Sequence, residues 1–88
     1  MGAVAKGGIG DAFSQLNQPE DALDYYEKAI AHSENEFTTP RFLYKAGVVA
    51  IELGQKDKAL GYFERIKEKY PDSQEGNGID ALIGMAQN

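Results

Sequence analysis

The chain has 88 residues, 42% of them apolar and 26% charged, with no cysteine and a formal net charge of −5. Such a composition fits one small globular domain and excludes a disulfide framework, thiol chemistry and any apolar run near the roughly 18 residues that span a bilayer. An acidic chain also lacks the dense basic stripe that nucleic acid or an anionic membrane surface requires, so neither is an expected partner.

Ile9, Ala12, Phe13 and Leu16 stand at helical spacing and predict a first helix over about Val4–Leu16. Gly7, Gly8 and Gly10 each weaken it by up to about 1 kcal/mol relative to alanine, so its beginning is expected to fray. Asn17-Gln18-Pro19 ends it, since asparagine tolerates the left-handed conformation and proline suits a first helical turn. A second helix, Pro19–His32, follows with Ala22, Leu23, Tyr26, Ala29 and Ile30 on one stripe and acids at its start.

After the polar loop Ser33–Phe37, Thr39-Pro40 reads as N-cap plus first-turn proline of a third helix that runs to about Leu53, with Gly54 closing it. A fourth helix over Lys56–Lys69 turns Ala59, Leu60, Tyr62, Phe63 and Ile66 inward, and Tyr70-Pro71-Asp72-Ser73 stops it. Asn77–Ala86 is expected to form one more short helix. Nothing alternates with period two, so the expected class is all-α with five helices.

A period of 37 residues runs through these elements: Gly10, Gly47 and Gly84, with Ala22/Ala59 and Tyr26/Phe63 keeping step. Charge is unevenly spread over the copies. Residues 1–37 set Lys6 and Lys28 against seven acids, whereas residues 38–74 carry seven bases against five acids. Recurrence at this length marks a repeat array, which presents a binding surface more often than an active site. Met1-Gly2 leads straight into the first copy. No signal-peptide stretch is seen, and Lys6 stands where N-myristoylation wants Ser or Thr.

Ile9-Gly10, Phe13, Ala22, Tyr26 and Ala29 in the first copy, and Gly47, Leu53-Gly54, Ala59, Phe63 and Pro71 in the second, resemble the tetratricopeptide repeat. The resemblance implies antiparallel helix pairs in a right-handed superhelical array of about two and a half repeats. The repeats would be residues 3–36 and 38–73, with a half-repeat or capping helix at 77–87. On this reading Gly10 crosses against Ala22 and Gly47 against Ala59. The chain departs from the family in several places. Its period exceeds the usual length of about 34, Lys6 and Leu43 stand where a large aromatic is expected, and Glu34 replaces the first terminal proline. Phe63 with Tyr70-Pro71-Asp72-Ser73 resembles repeats of bacterial envelope members of this family, a cue toward an envelope location; between cytoplasm and envelope the compartment stays open. Arrays usually need three or more repeats, so the segment is expected to be the C-terminal part of a longer protein.

Catalytic chemistry finds little material. Lys6-Gly7-Gly8-Ile9-Gly10 follows no strand and precedes no Lys-Ser/Thr, so it reads as a helix crossing and not a phosphate loop. His32 is the only histidine, which leaves no His metal site or triad. Glu34, Glu36, Asp72 and Glu75 read as solvated loop acids. No catalytic, cofactor or metal residue is expected, and the chain is read as a non-enzyme.

The third helix carries the functional reading. Phe42, Leu43, Tyr44, Ala46, Val48, Val49, Ala50, Ile51 and Leu53 leave it almost no polar face, as for a helix buried on all sides. The family resemblance implies that the first helices line a concave groove, here Arg41, Tyr44, Val48 and Ile51, joined by Val4, Asp11, Ser14, Ala81 and Met85. Three readings stay open: plain core, a groove for a protein or peptide segment, and self-association. Carboxylate-clamp members grip a C-terminal carboxylate with Lys and Asn from the first helices; the matching slots hold Gly7, Asp11 and Lys45, and since Asp11 would repel a carboxylate and only Lys45 is present, such capture is not expected. The expected job is a non-catalytic protein-interaction scaffold. A structural or oligomerisation module, or a regulatory domain attached to an enzyme, is the alternative.

Overall fold

The computed structural model describes residues 2–88; Met1, and with it the reading of the chain's start, lies outside the described residues. Five helices follow one another: α1 (Ala3–Gln15), α2 (Pro19–His32), α3 (Thr39–Glu52), α4 (Lys56–Lys69) and α5 (Ile79–Gln87). No strand occurs among the described residues. Each helix packs chiefly on its neighbours in sequence, α1 on α2, α2 on α3, α3 on α4 and α4 on α5, which makes the molecule an all-α helical repeat array. No helix among the described residues is long and apolar enough to cross a membrane.

The first two pair turns share one chemistry. At the end of α1 Asn17 takes φ 59°, and the N–H groups of Asn17 and Gln18 donate back to the Ser14 and Phe13 carbonyls. At the end of α3 Gly54 takes φ 75°, and Gly54 and Gln55 donate to Ile51 and Ala50. Both are Schellman closures, in which a residue that tolerates positive φ satisfies carbonyls the helix end would leave orphaned.

The loop between the repeats corrects one expectation. Thr39 is not the N-cap of α3; Thr38 is, and Thr39 lies inside the first turn with no exposed surface. Its hydroxyl accepts the Asn35 N–H at 2.8 Å and donates to the Ser33 carbonyl at 3.4 Å. The Asn35 side chain in turn accepts the N–H groups of Phe37 and Thr38 at 2.9 and 2.8 Å. An asparagine turn thus ends the loop, and the buried threonine is stabilised because its hydroxyl is fully partnered. The start of α5 also shifts, to Ile79 instead of Asn77. Ser73 holds the preceding turn by donating to the Tyr70 carbonyl and accepting from Gly76 N–H, and Gly78 enters the helix at φ 75°.

The core is a file of small residues and rings. Ala22, Ala29, Leu43, Ala46, Ala50, Ala59, Phe63 and Ile66 are wholly buried. In α1 the buried residues are Ala3, Gly7 and Gly10, and Phe13 packs half-buried against the core, whereas Leu16 is 66% exposed. The rings beside each crossing, more than the alanines, set the size of these glycines. A Cβ on Gly10 would stand 2.7 Å from the Tyr26 ring, and one on Gly47 would enter the Phe63 ring. Each glycine therefore makes room for the aromatic four residues beyond the alanine. In the first repeat the Ala22 carbonyl also lies close, 3.3 Å from the position of a Gly10 Cβ. Phe42 joins the repeats: its ring fills the space over Gly7 and stacks on Tyr26 with centroids 6.4 Å apart.

The charge asymmetry of the sequence is spent at the same junction. Glu27 accepts the Tyr62 hydroxyl and lies 3.8 Å from Lys58. Glu34 pairs with Arg65 and, at 3.4 Å, with Lys69. Glu34 is thus no idle loop acid, as it was read, but a tie between α2's end and α4. Exposed pairs of this kind contribute little singly, up to about 1 kcal/mol each.

Candidate functional site

A cleft of about 410 Å³ opens between α1 and α3. Asp11, Ser14 and Gln15 line it from α1, Tyr44, Lys45, Val48, Val49 and Glu52 from α3, and Tyr26 from α2 beneath. Of the residues expected from sequence, Asp11, Ser14, Tyr44 and Val48 are brought together here. Arg41, Ile51 and Met85 are not among the lining residues. Arg41 is exposed a turn before Lys45, near enough for its charge to act on Asp11. Ile51 is half-buried and packs against the core, and Met85 is 55% exposed on α5. Val4 is 67% exposed and, like Ala81, stands apart from the cleft.

Gln15, Tyr26, Lys45, Val49 and Glu52 line the cleft without having been expected there. The sequence held a signal for Glu52: Tyr44, Val48 and Glu52 recur every four residues and so share a face, whereas Ile51 falls at its edge. Tyr44 is 38% exposed and leans on Phe63 with centroids 6.5 Å apart, so the core fixes the ring that the cleft displays.

The polar end of the cleft is a three-residue tie. Lys45 Nζ donates to both oxygens of Asp11, at 2.9 and 3.0 Å, and the Tyr26 hydroxyl donates to Asp11 Oδ1 at 2.6 Å. Burial pushes the Tyr26 phenol well above its ordinary range and the Asp11 carboxylate adds to this, so the phenol stays a donor. Burial alone would raise Asp11, but the hydrogen bonds from Tyr26 and Lys45 and the charges of Lys45 and Arg41 outweigh it and hold the carboxyl below 3.8. Lys45 is thereby occupied, which removes the one cation a carboxylate clamp would have used. Glu52, at the other end, makes no ion pair among the described residues.

The depressed Asp11 carboxyl has a testable sign. A carboxyl whose folded value lies below its unfolded one contributes stability that is present above the unfolded value and is lost as pH falls through the folded one. Asp11→Asn is expected to be less stable than the parent near neutral pH and to lose less stability as pH drops below about 4. Urea titrations of both proteins across that range check it, and parallel curves would exclude the tie as the cause.

Two family models, both described as tetratricopeptide repeat, match the chain, one over residues 3–35 and the other over residues 42–73. No curated protein sequence matches it. Repeats of this family generally mediate protein–protein interaction and typically serve as non-catalytic scaffolds. The helix pairs, the glycine-and-ring crossings at a fixed period and the two matches agree: the chain belongs to the tetratricopeptide repeat family.

Proposed function

We propose that the cleft between α1 and α3 binds a peptide segment of a partner protein, without catalysis. The observation that carries this reading is the composition of the cleft along α3. Tyr44, Val48 and Val49 supply an apolar floor, while Ser14, Gln15 and Glu52 supply polar groups at its edges. An apolar floor with a few convergent polar groups is the usual form of a ligand site. Recognition would rest on burial of an aliphatic or aromatic side chain over Val48 and Tyr44, with the Asp11–Lys45–Tyr26 tie closing one end.

Selection of peptides from a random library against the whole chain tests it. Binding of the selected peptides is expected to weaken at least about tenfold in Val48→Ser and in Tyr44→Ala. Amide shift changes in the parent should centre on Ser14, Tyr44 and Val48. Equal affinity for both variants, or shifts confined to α2 and α4, would overturn the reading. A mass that rises with concentration in light scattering and is abolished by Val48→Ser would assign the cleft to self-association instead.

A further inference from the structure

Of Asn17, Asn35 and Asn77, only Asn77 is followed by glycine, and the fold treats the three differently. Beside Asn17, the Gln18 N–H donates to the Phe13 carbonyl at 2.9 Å, so that nitrogen is engaged. The Asn35 carboxamide is pinned: its oxygen accepts the Phe37 and Thr38 N–H groups, and its nitrogen donates to the Thr38 hydroxyl at 2.9 Å. Asn77 and Gly78 are both exposed. Neither the Asn77 carboxamide nor the Gly78 N–H has a hydrogen-bond partner among the described residues. The backbone explains this. Gly78 stands at φ 75° and ψ 9°, and Ile79 N–H donates to the Gly76 carbonyl at 3.3 Å, which makes a type II turn with Asn77 second and Gly78 third. Such a turn uses only the N–H of its fourth residue, so that of Gly78 is left free, and glycine sets no side chain beside it.

From this geometry we propose that Asn77-Gly78 is a covalent modification site, at which the folded chain deamidates without an enzyme. Hydroxide takes the proton of the Gly78 N–H, and the nitrogen attacks Asn77 Cγ. A C–N bond forms, the Cγ–Nδ2 bond breaks, and ammonia leaves behind a succinimide ring. Water then opens the ring. Attack at Cγ gives an ordinary aspartate. Attack at the main-chain carbonyl carbon gives isoaspartate, in which the backbone runs through Cβ and Cγ and is one carbon longer. Nothing is oxidised or reduced.

The two products act differently on α5. Residue 77 lies just before the helix, so an aspartate there faces the positive end of the dipole and is tolerated. An added backbone carbon between Gly76 and Gly78 instead breaks the register of the Gly76–Ile79 hydrogen bond. Ile79 opens α5 and is only 4% exposed, so displacing it loosens the helix from α4. Isoaspartate formation is therefore a slow, one-way release of α5. The site is separate from the cleft between α1 and α3, and the inference does not depend on that cleft being used.

The whole chain, kept folded in mildly alkaline buffer, is followed by peptide mapping with electron-transfer fragmentation, which tells aspartate from isoaspartate. Loss of the amide is expected at Asn77 and not at Asn17 or Asn35. Unfolding in urea should accelerate Asn35, freed of its hydrogen bonds, far more than Asn77. Hydrogen exchange of the aged chain should show lost protection in α5, which freshly made Asn77→Asp should retain. Asn77→Gln, whose longer side chain closes a ring poorly, should keep its amide and its α5 protection under the same treatment. An intact Asn77 in the folded chain, or equal conversion at Asn35, overturns the site. An aged chain protected like the fresh one, or an equal loss in Asn77→Asp, overturns the release of α5.

Discussion

Phe63→Ala is expected to lower the melting temperature by roughly 12 °C or more and to broaden the transition. Phe63 has no exposed surface, covers Gly47 and supports the Tyr44 ring. Its truncation opens a cavity whose walls cannot collapse, because the opposite side is helix backbone at a glycine. Such changes cost about 3–5 kcal/mol. A domain of this length has only about 4–13 kcal/mol in all, and each kcal/mol shifts its melting point by about 4–8 °C. A thermal melt followed by circular dichroism measures it. A fall of less than about 4 °C would show that the ring is not the centre of the second repeat.

The second large effect separates three glycines that the sequence makes look alike. Gly47→Ala should destabilise by about 1–3 kcal/mol, because the new methyl enters the space of a wholly buried ring. It does so against a gain of up to about 1 kcal/mol in helix propensity. Gly84→Ala has the same gain and no collision, so it should be neutral or stabilising. Gly10→Ala should resemble Gly47→Ala, with a methyl 2.7 Å from the Tyr26 ring. Denaturant titrations of the three variants decide the matter. Equal midpoints for Gly47→Ala and Gly84→Ala would show that the rings yield freely and that the period reflects propensity alone.

The parts of the fold that are local were legible. Pro19–His32 and Lys56–Lys69 are the helices the sequence predicts, because a Schellman closure precedes each and one apolar stripe runs through each. In α1 the inward place of Gly10 was legible, but those of Ala3 and Gly7 were not. Its buried residues are Ala3, Gly7 and Gly10, which carry almost no hydrophobic signal, and it is the rings of Phe42 and Tyr26 from other helices that bury them. The N-cap of α3 was misplaced because Thr38 and Thr39 are chemically equal locally, and only the Asn35 turn distinguishes them. In the cleft, the α3 stripe could be read from spacing, but the Asp11–Lys45 tie could not. Those residues meet across two repeats, and their distance depends on how the pairs stack. The opposite charge balance of the two copies was the one trace of that stacking, and the bridges from Glu27 and Glu34 to α4 are what it records.

The succession of contacts, each helix against the next in sequence, has a kinetic consequence. No distant segments must meet before a helix pair is stabilised, so loop-closure entropy is small and the search is short; folding should be fast for a chain of this size. A linear series also has ends. α3 is held by α2 and α4, whereas α5 is held chiefly by α4. Backbone amides in α5 should therefore exchange with solvent through a shallow opening while those of α3 wait for global unfolding, a gradient of protection along the array.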